Sequence, residues 1–267
     1  ELTKSVAQME SVLGLKTCFH DPGVEKYGLN NALLPIGTNF LEVVAPFQDG
    51  TTAQRYMDRR GGSGGYMVIM QCDDVEKRRH RMAELNIRVI NNIDIEHAQF
   101  TSIQMHPKDT GGAIMETGTD NRGGQFDGPW GPAGDNWKSC VQTEIVSALT
   151  GAELQSKNPK ALAVRWAEVL DIPLGSTAHA NHRLQLENAT LRFTDIQDKR
   201  GEGLRSLDIK TADREELMRR AHTRTRTRRR SYRTIQNATA WSPFFHGLRP
   251  FFHGLRPFFH GLRPFFH

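Results

Sequence analysis

The chain has 267 residues, 37% hydrophobic and 24% charged, enough for one large or two modest domains, each with its own core. No apolar run approaches the ~20 residues of a membrane span, and Cys18, Cys72 and Cys140 form neither a CxxC pair nor a disulfide framework, so a reducing cytoplasm is expected. The formal charge of +5 misleads: nine Arg and no acidic residue follow Ala221, leaving 26 basic against 30 acidic residues and a net −4 for residues 1–220, which gives the folded body no basic argument for binding nucleic acid.

The first element is an amphipathic helix within Ser5–Thr17, where Val6, Met9, Val12 and Leu13 fall at helical spacing. His20, Tyr27, Asn30 and Asn31 follow in a stretch leading to "NNALLPIGTNFLEVVAP", two apolar runs around a Pro-Ile-Gly-Thr-Asn turn that predict a hairpin. Two adjacent amides opening a strand are unusual because Asn is a poor strand former, so Asn31 is a candidate pocket residue. "RRGGSGGYM" precedes a strand, the wrong order for a phosphate loop, and reads as a linker. The strand "GGYMVIMQCDD" then delivers an Asp pair to the N-terminus of a second helix, Val75–Val89, where carboxylates suit the free N–H groups. "FTSIQMHPKDTGGAIMETG" repeats the hairpin pattern. A second Gly/Pro/aromatic linker, Asn121–Trp137, precedes a third helix, Pro159–Pro173, with Leu162, Trp166, Val169 and Leu170 on one face. "ATLRFTD" is a strand, and Gly203–Ala221 repeats the strand-to-helix join, with Asp213 matching Asp74.

From residue 221 the sequence changes character. "HTRTRTRRRSYR" is a basic low-complexity run, and "PFFHGLR" then repeats three times before a final "PFFH". Each copy holds both Pro and Gly, which rules out a continuous helix despite the seven-residue period. An Arg-rich arm with membrane-inserting Phe pairs competes with a structureless extension, and the abrupt loss of acidic residues favours the latter.

The elements form a repeat. Each unit reads strand, helix, then three strands over about 70 residues; the first lacks its opening strand and the fourth stops after its helix. Glu42 in "NFLEVVA" and Glu116 in "GAIMETG" hold the same place in the last strand of their units. "NFLEVVAP" and "HPKDTGGAIME" carry a resemblance to the vicinal oxygen chelate superfamily (glyoxalase I, methylmalonyl-CoA epimerase, fosfomycin-resistance proteins, extradiol dioxygenases). It covers residues 1–127 well and 140–220 more loosely.

The resemblance implies an α+β fold of repeated βαβββ modules forming a half-barrel cleft, with the first and last modules incomplete. The domains implied are 1–127, a 128–139 linker, a truncated second half at 140–220, and an unstructured 221–267 tail. It also implies a metal-dependent lyase, isomerase or dioxygenase acting on a small oxygenated substrate, the alternative being a metal-free binding module. Glu42 and Glu116 fall on the two last-strand ligand positions for one divalent metal (Fe, Mn, Mg, Zn or Ni), Glu116 also being the candidate catalytic acid or base. Met67 stands about where the superfamily places a His, and Arg192 stands at the glutamate position of the third unit. Asn31, His106 and Lys108 are candidate substrate contacts, although a turn cap is the commoner case for a histidine placed like His106 and a solvated charge for a lysine placed like Lys108. The partner expected is a small molecule, with no membrane span and with a homodimer left open.

Overall fold

The computed structural model describes residues 2–175, 182–233 and 257–262. Helix α1 (Leu2–Leu13) buries Val6, Met9, Val12 and Leu13, the stripe that its spacing predicts. Strands β1 (Leu29–Ile36) and β2 (Asn39–Pro46) pair antiparallel, Ile36 opposite Asn39, so the turn is only Gly37–Thr38. Pro35 and Ile36, expected in the turn, belong to the strand. Gly37 has φ +60°, and a Cβ there would stand 2.5 Å from the Ser147 carbonyl oxygen, so glycine alone fits.

Helix α2 (Thr52–Arg60) falls where a linker is expected, capped by Thr51, whose hydroxyl accepts from the Gln54 N–H, and ended by Gly61 at φ +67°. Strand β3 (Met67–Gln71) leads to α3 (Val75–Glu84), whose N-cap Asp74 accepts from the Lys77 N–H. Strands β4 (Val89–Ile95) and β5 (Phe100–Met105), the turn-length helix α4 (Pro107–Thr110) and β6 (Ile114–Asp120) complete that unit. The third unit has β7 (Val146–Ser156), α5 (Pro159–Leu170), β8 (His182–Gln185) and β9 (Thr190–Asp195). The fourth opens with β10 (Gly203–Thr211) and α6 (Arg214–Arg233).

Where no structure is expected beyond residue 221, α6 stays helical to Arg233, and Pro257–Leu262 forms a further strand, β11. The basic run holds neither Pro nor Gly, and Arg is a good helix former. The other tail residues, 234–256 and 263–267, lie outside the described part.

The strands build a seven-stranded sheet, β1-β2-β11-β3-β6-β5-β4, and a four-stranded one, β10-β7-β9-β8. In both the second and third units the first strand pairs parallel with the last, β3 with β6 and β7 with β9. Side-chain alternation then sorts the faces. Val68, Met70, Ile103, Met105 and Met115 of the first sheet share one apolar core with Val75 and Met82 of α3, with Leu162, Trp166, Val169 and Leu170 of α5, and with Leu154, Leu191 and Phe193 of the second sheet. On the β1–β2 side, α1 and α6 do the same work, placing Met9 and Leu217 with Ala32, Leu34, Leu41 and Val43. Each buried aliphatic contributes about 1.5–3 kcal/mol, so these faces hold the architecture. The opposite face of each sheet is left to form a cleft.

Candidate functional site: two clefts on one scaffold

In the first sheet, residues out of phase with the core point the other way: Glu42 and Val44 from β2, Met67 and Ile69 from β3, Ile114 and Glu116 from β6. They line a single cavity of about 620 Å³. Glu42 and Glu116, each 4% exposed, therefore share one hollow, as their equivalent places in the two units require. Leu29, Tyr66, Ile93, Ile95 and Phe100 add apolar wall.

Neutral donors reach both acids. The Asn31 amide donates to Glu42 Oε1 at 2.5 Å, while Asn31 Oδ1 accepts from the Asp21 N–H at 2.8 Å. Asn31 is buried beside Glu42 and fixes it from behind, without lining the cavity itself. Glu116 accepts from Ser102 Oγ at 2.8 Å and from Gln104 Nε2 at 2.7 Å. Gln104 is its cross-strand neighbour. Gly118, two residues on, makes the close packing there feasible: a Cβ would meet both Phe100 Cζ and Ser102 Cβ at 2.8 Å.

His106 and Lys108 are not brought to this cavity. His106 is the N-cap of α4, its Nδ1 accepting from the Lys108 N–H at 3.0 Å, and Lys108 is exposed on that short turn. Beside them Arg88 grips Asp109 through its Nη2 at 2.7 Å, and Arg165 Nε donates to the Asp109 carbonyl at 2.9 Å. The contact from Arg165 of α5 makes this corner a junction of the two halves.

Several cavity residues escape a reading by motif. Lys26 comes from a 3-10 turn, Pro22–Tyr27, capped by Asp21, whose Tyr27 lies in the stretch read as possible pocket lining; Asp49, Thr51 and Arg55 come from the N-terminal end of α2. The Thr51-to-Gly61 capping pattern was the available signal for α2. Tyr66 lines the cavity with its phenol pushed up to about 12, chiefly by burial and next by the neighbouring Tyr56 phenol, so it stays a neutral hydroxyl. Burial, with Cys140 nearby, likewise pushes the Cys18 thiol up to about 12, as suits a packing residue. The Asn121–Trp137 stretch is no free spacer: Trp130 packs edge-on against Phe100 with ring centres 4.9 Å apart, Trp137 against Phe40 at 5.0 Å, and Pro132 lines the cavity.

The second sheet has its own cleft, of about 840 Å³. The parallel register that sets Ile69 beside Glu116 in the second unit sets Glu153 beside Arg192 in the third. Glu153 is clasped by Arg192, at 3.3 Å, and by Arg205; Arg192 also donates to Asp208 at 2.8 Å. Thr150, Thr190 and Thr194 surround this network. The charges cancel internally.

Among the described residues, the first cavity's donor set does not fit a resident divalent metal. Transition-metal sites usually take three or more protein ligands. On β3, which pairs with the strand of Glu116, register puts Ile69, rather than Met67, beside that acid. Among the described residues no three His, Cys, Asp or Glu side chains converge on a possible ion site.

No family model and no curated relative matches the chain. Among solved structures, a triple mutant of 4-hydroxymandelate synthase from Streptomyces coelicolor aligns over 98% of this chain and 90% of its own, at 14% identity and TM-score 0.62. The chain has the vicinal oxygen chelate fold. A hypothetical protein from Staphylococcus aureus is similar over 93% of this chain and 90% of its own, at 13% identity and TM-score 0.54. A methylmalonyl-CoA epimerase, solved with methylmalonyl-CoA and NH4+, matches 45% of this chain and 88% of its own at 17% identity and TM-score 0.38. No helix among the described residues is long and apolar enough to cross a membrane.

Proposed function

We propose that the chain binds a small organic molecule in the first-half cavity, and does so without a resident metal. One observation supports this above the rest: Glu42 and Glu116 share a cavity into which β3 presents Met67 and Ile69. A carboxyl group offers acceptor oxygens, so the matching ligand groups are donors, hydroxyl or amine. The apolar walls take the ligand's hydrocarbon part. Charge narrows the class further. Asp21, Glu42, Asp49 and Glu116 line the cavity against Lys26 and Arg55, an excess of acid that disfavours anionic ligands.

The test is a thermal-shift and calorimetric screen of the full chain against hydroxylated or amine-bearing aromatics and their carboxylate counterparts. The amine and hydroxyl compounds are expected to stabilise the protein, the carboxylates much less. Glu42→Gln and Glu116→Gln should each weaken binding by about tenfold, the size of one charge-assisted hydrogen bond. Stoichiometric Fe, Mn, Zn, Ni or Mg that disappears in those variants would overturn the metal-free reading in favour of a metal-dependent lyase, isomerase or dioxygenase.

A further inference from the structure

Resting on the ligand reading above, we infer that the ligand of the first cavity carries an acceptor oxygen at the end opposite its donor, and that the Tyr27 hydroxyl reads that oxygen at the cavity mouth. Three hydrogen bonds join the mouth to Glu116. Gln104 Nε2 donates to Glu116 Oε2 at 2.7 Å, Asn91 Nδ2 donates to Gln104 Oε1 at 3.4 Å, and Asn91 Nδ2 also donates to the Tyr27 hydroxyl oxygen. Strand pairing supplies two of these links, since Gln104 of β5 stands opposite Glu116 of β6 on one side and Asn91 of β4 on the other. Tyr27 lies in the turn just before β1, and β1 and β4 are the two ends of the sheet order, so the Tyr27 bond to Asn91 joins the two sides of the cleft. All four residues line the cavity.

Each bond in this chain fixes the direction of the next. A side-chain amide has an NH2 on one side and a carbonyl on the other. Gln104 turns its NH2 to Glu116, so it offers Asn91 a carbonyl. Asn91 answers with its NH2, whose two hydrogens serve Gln104 and Tyr27. The Tyr27 oxygen is thereby made an acceptor, and its own proton is left to donate. Among the described residues no group takes that proton. The two ends of the cavity are therefore opposite in kind. Glu42 and Glu116 offer acceptors where the cavity is buried, and Tyr27, 38% exposed, offers a donor where it opens. Lys26, its Nζ 5.0 Å from the centre of the Tyr27 ring, adds a cationic donor beside it. Three linked hydrogen bonds hold the Tyr27 and Glu116 oxygens on the order of 10 Å apart or less, the reach of one ring with its substituents. The ligand class is an amine or alcohol joined through a single ring to a carbonyl-type oxygen.

Calorimetric titration of the full chain with benzylamine and 4-acetylbenzylamine decides it. Both probes are cations on the same ring, and only the second has an oxygen at the far end. The acetyl compound should bind about fivefold more tightly, the size of one neutral hydrogen bond. Tyr27→Phe should bring the two affinities to parity. At neutral pH Asn91→Asp puts acceptor oxygens where the NH2 was, so Tyr27 turns its proton to position 91 and the ratio should again fall to parity. The charge added by that variant acts alike on both cations and cancels in the ratio, while a mere ring contact from Tyr27 would leave the ratio at its wild-type value. Equal affinities in the wild type, or a preference that survives either substitution, would overturn the mouth contact and leave the cavity reading in place. Failure of both amines to bind would instead overturn the cavity reading, and this ligand class with it.

Discussion

The two clefts share an architecture and differ in what sits at one register position. In the first, the last-strand acid Glu116 faces an isoleucine across the parallel pair, and neutral groups from Ser102 and Gln104 hold it. In the second, an arginine takes the last-strand place and the first strand supplies Glu153. The first arrangement leaves a hollow walled by apolar side chains, suited to a ligand. The second spends its polar groups on each other: a carboxylate flanked by two guanidiniums, one of them only 8% exposed, is an internal ion network. Both faces form clefts, and the placing of one charge gave one of them apolar walls around its acids and the other an internal ion network.

The comparison can be broken first at what the halves share. Trp166 is fully buried in the joint core, packs edge-on against Phe193 with ring centres 5.8 Å apart, and donates from Nε1 to the Gly111 carbonyl at 3.2 Å. Trp166→Ala should cost about 3–5 kcal/mol. Both halves should then unfold in a single calorimetric transition at lower temperature; two separate transitions would mean that the core does not couple them.

The clefts themselves are separated by a matched pair of substitutions. Glu153→Ala removes the acid between Arg192 and Arg205 and should destabilise by about 3 kcal/mol, because buried cations then lack their counter-charge. Glu116→Gln keeps the shape of its side chain and leaves amide and hydroxyl neighbours, so its stability cost should stay under about 1 kcal/mol while ligand binding falls. Urea midpoints compare the two directly. Equal losses would show that Glu116 is as structural as Glu153.

Acid titration gives the smallest effect. Burial raises the Asp198 carboxyl, but hydrogen bonds from Arg200 and Gln155 outweigh it and hold the group well below the usual carboxylate range. A depressed folded-state value means that the stabilisation is complete above the unfolded value near ~4 and is lost as pH falls below it. Asp198→Asn should therefore be less stable than wild type by about 1 kcal/mol or less at neutral pH, with the difference shrinking below about pH 4. A gap that persists at pH 3 would trace the loss to packing.

Local signals served well where a rule is local. The buried stripes of α1 and α5, the Asp74 cap, the β1–β2 hairpin and the twinned places of Glu42 and Glu116 follow from periodicity, capping and repetition, all properties of adjacent residues. Helix α2 was masked by the Gly-rich segment after it, although its Thr51 and Gly61 boundaries were in plain view. By sequence His106 and Lys108 could be cleft contacts or turn residues; His106 caps the α4 turn, which lies at the junction with α5. Asn31 was legible as unusual, but its work as the support of Glu42 depends on a side chain eleven residues away.

The sequence alone determined the α+β class, the repeated unit and the pairing of its two acids, because strand and helix periods and internal duplication are written along the chain. Only the tertiary structure decided that the acids open into one cavity, that Ile69 rather than a ligand stands beside Glu116, that the second cleft neutralises itself, and that a tail strand fills the gap between β2 and β3. Those outcomes rest on register between strands far apart in the chain. A shift of one residue turns every side chain to the other face, and no local pattern states which register the packing will choose.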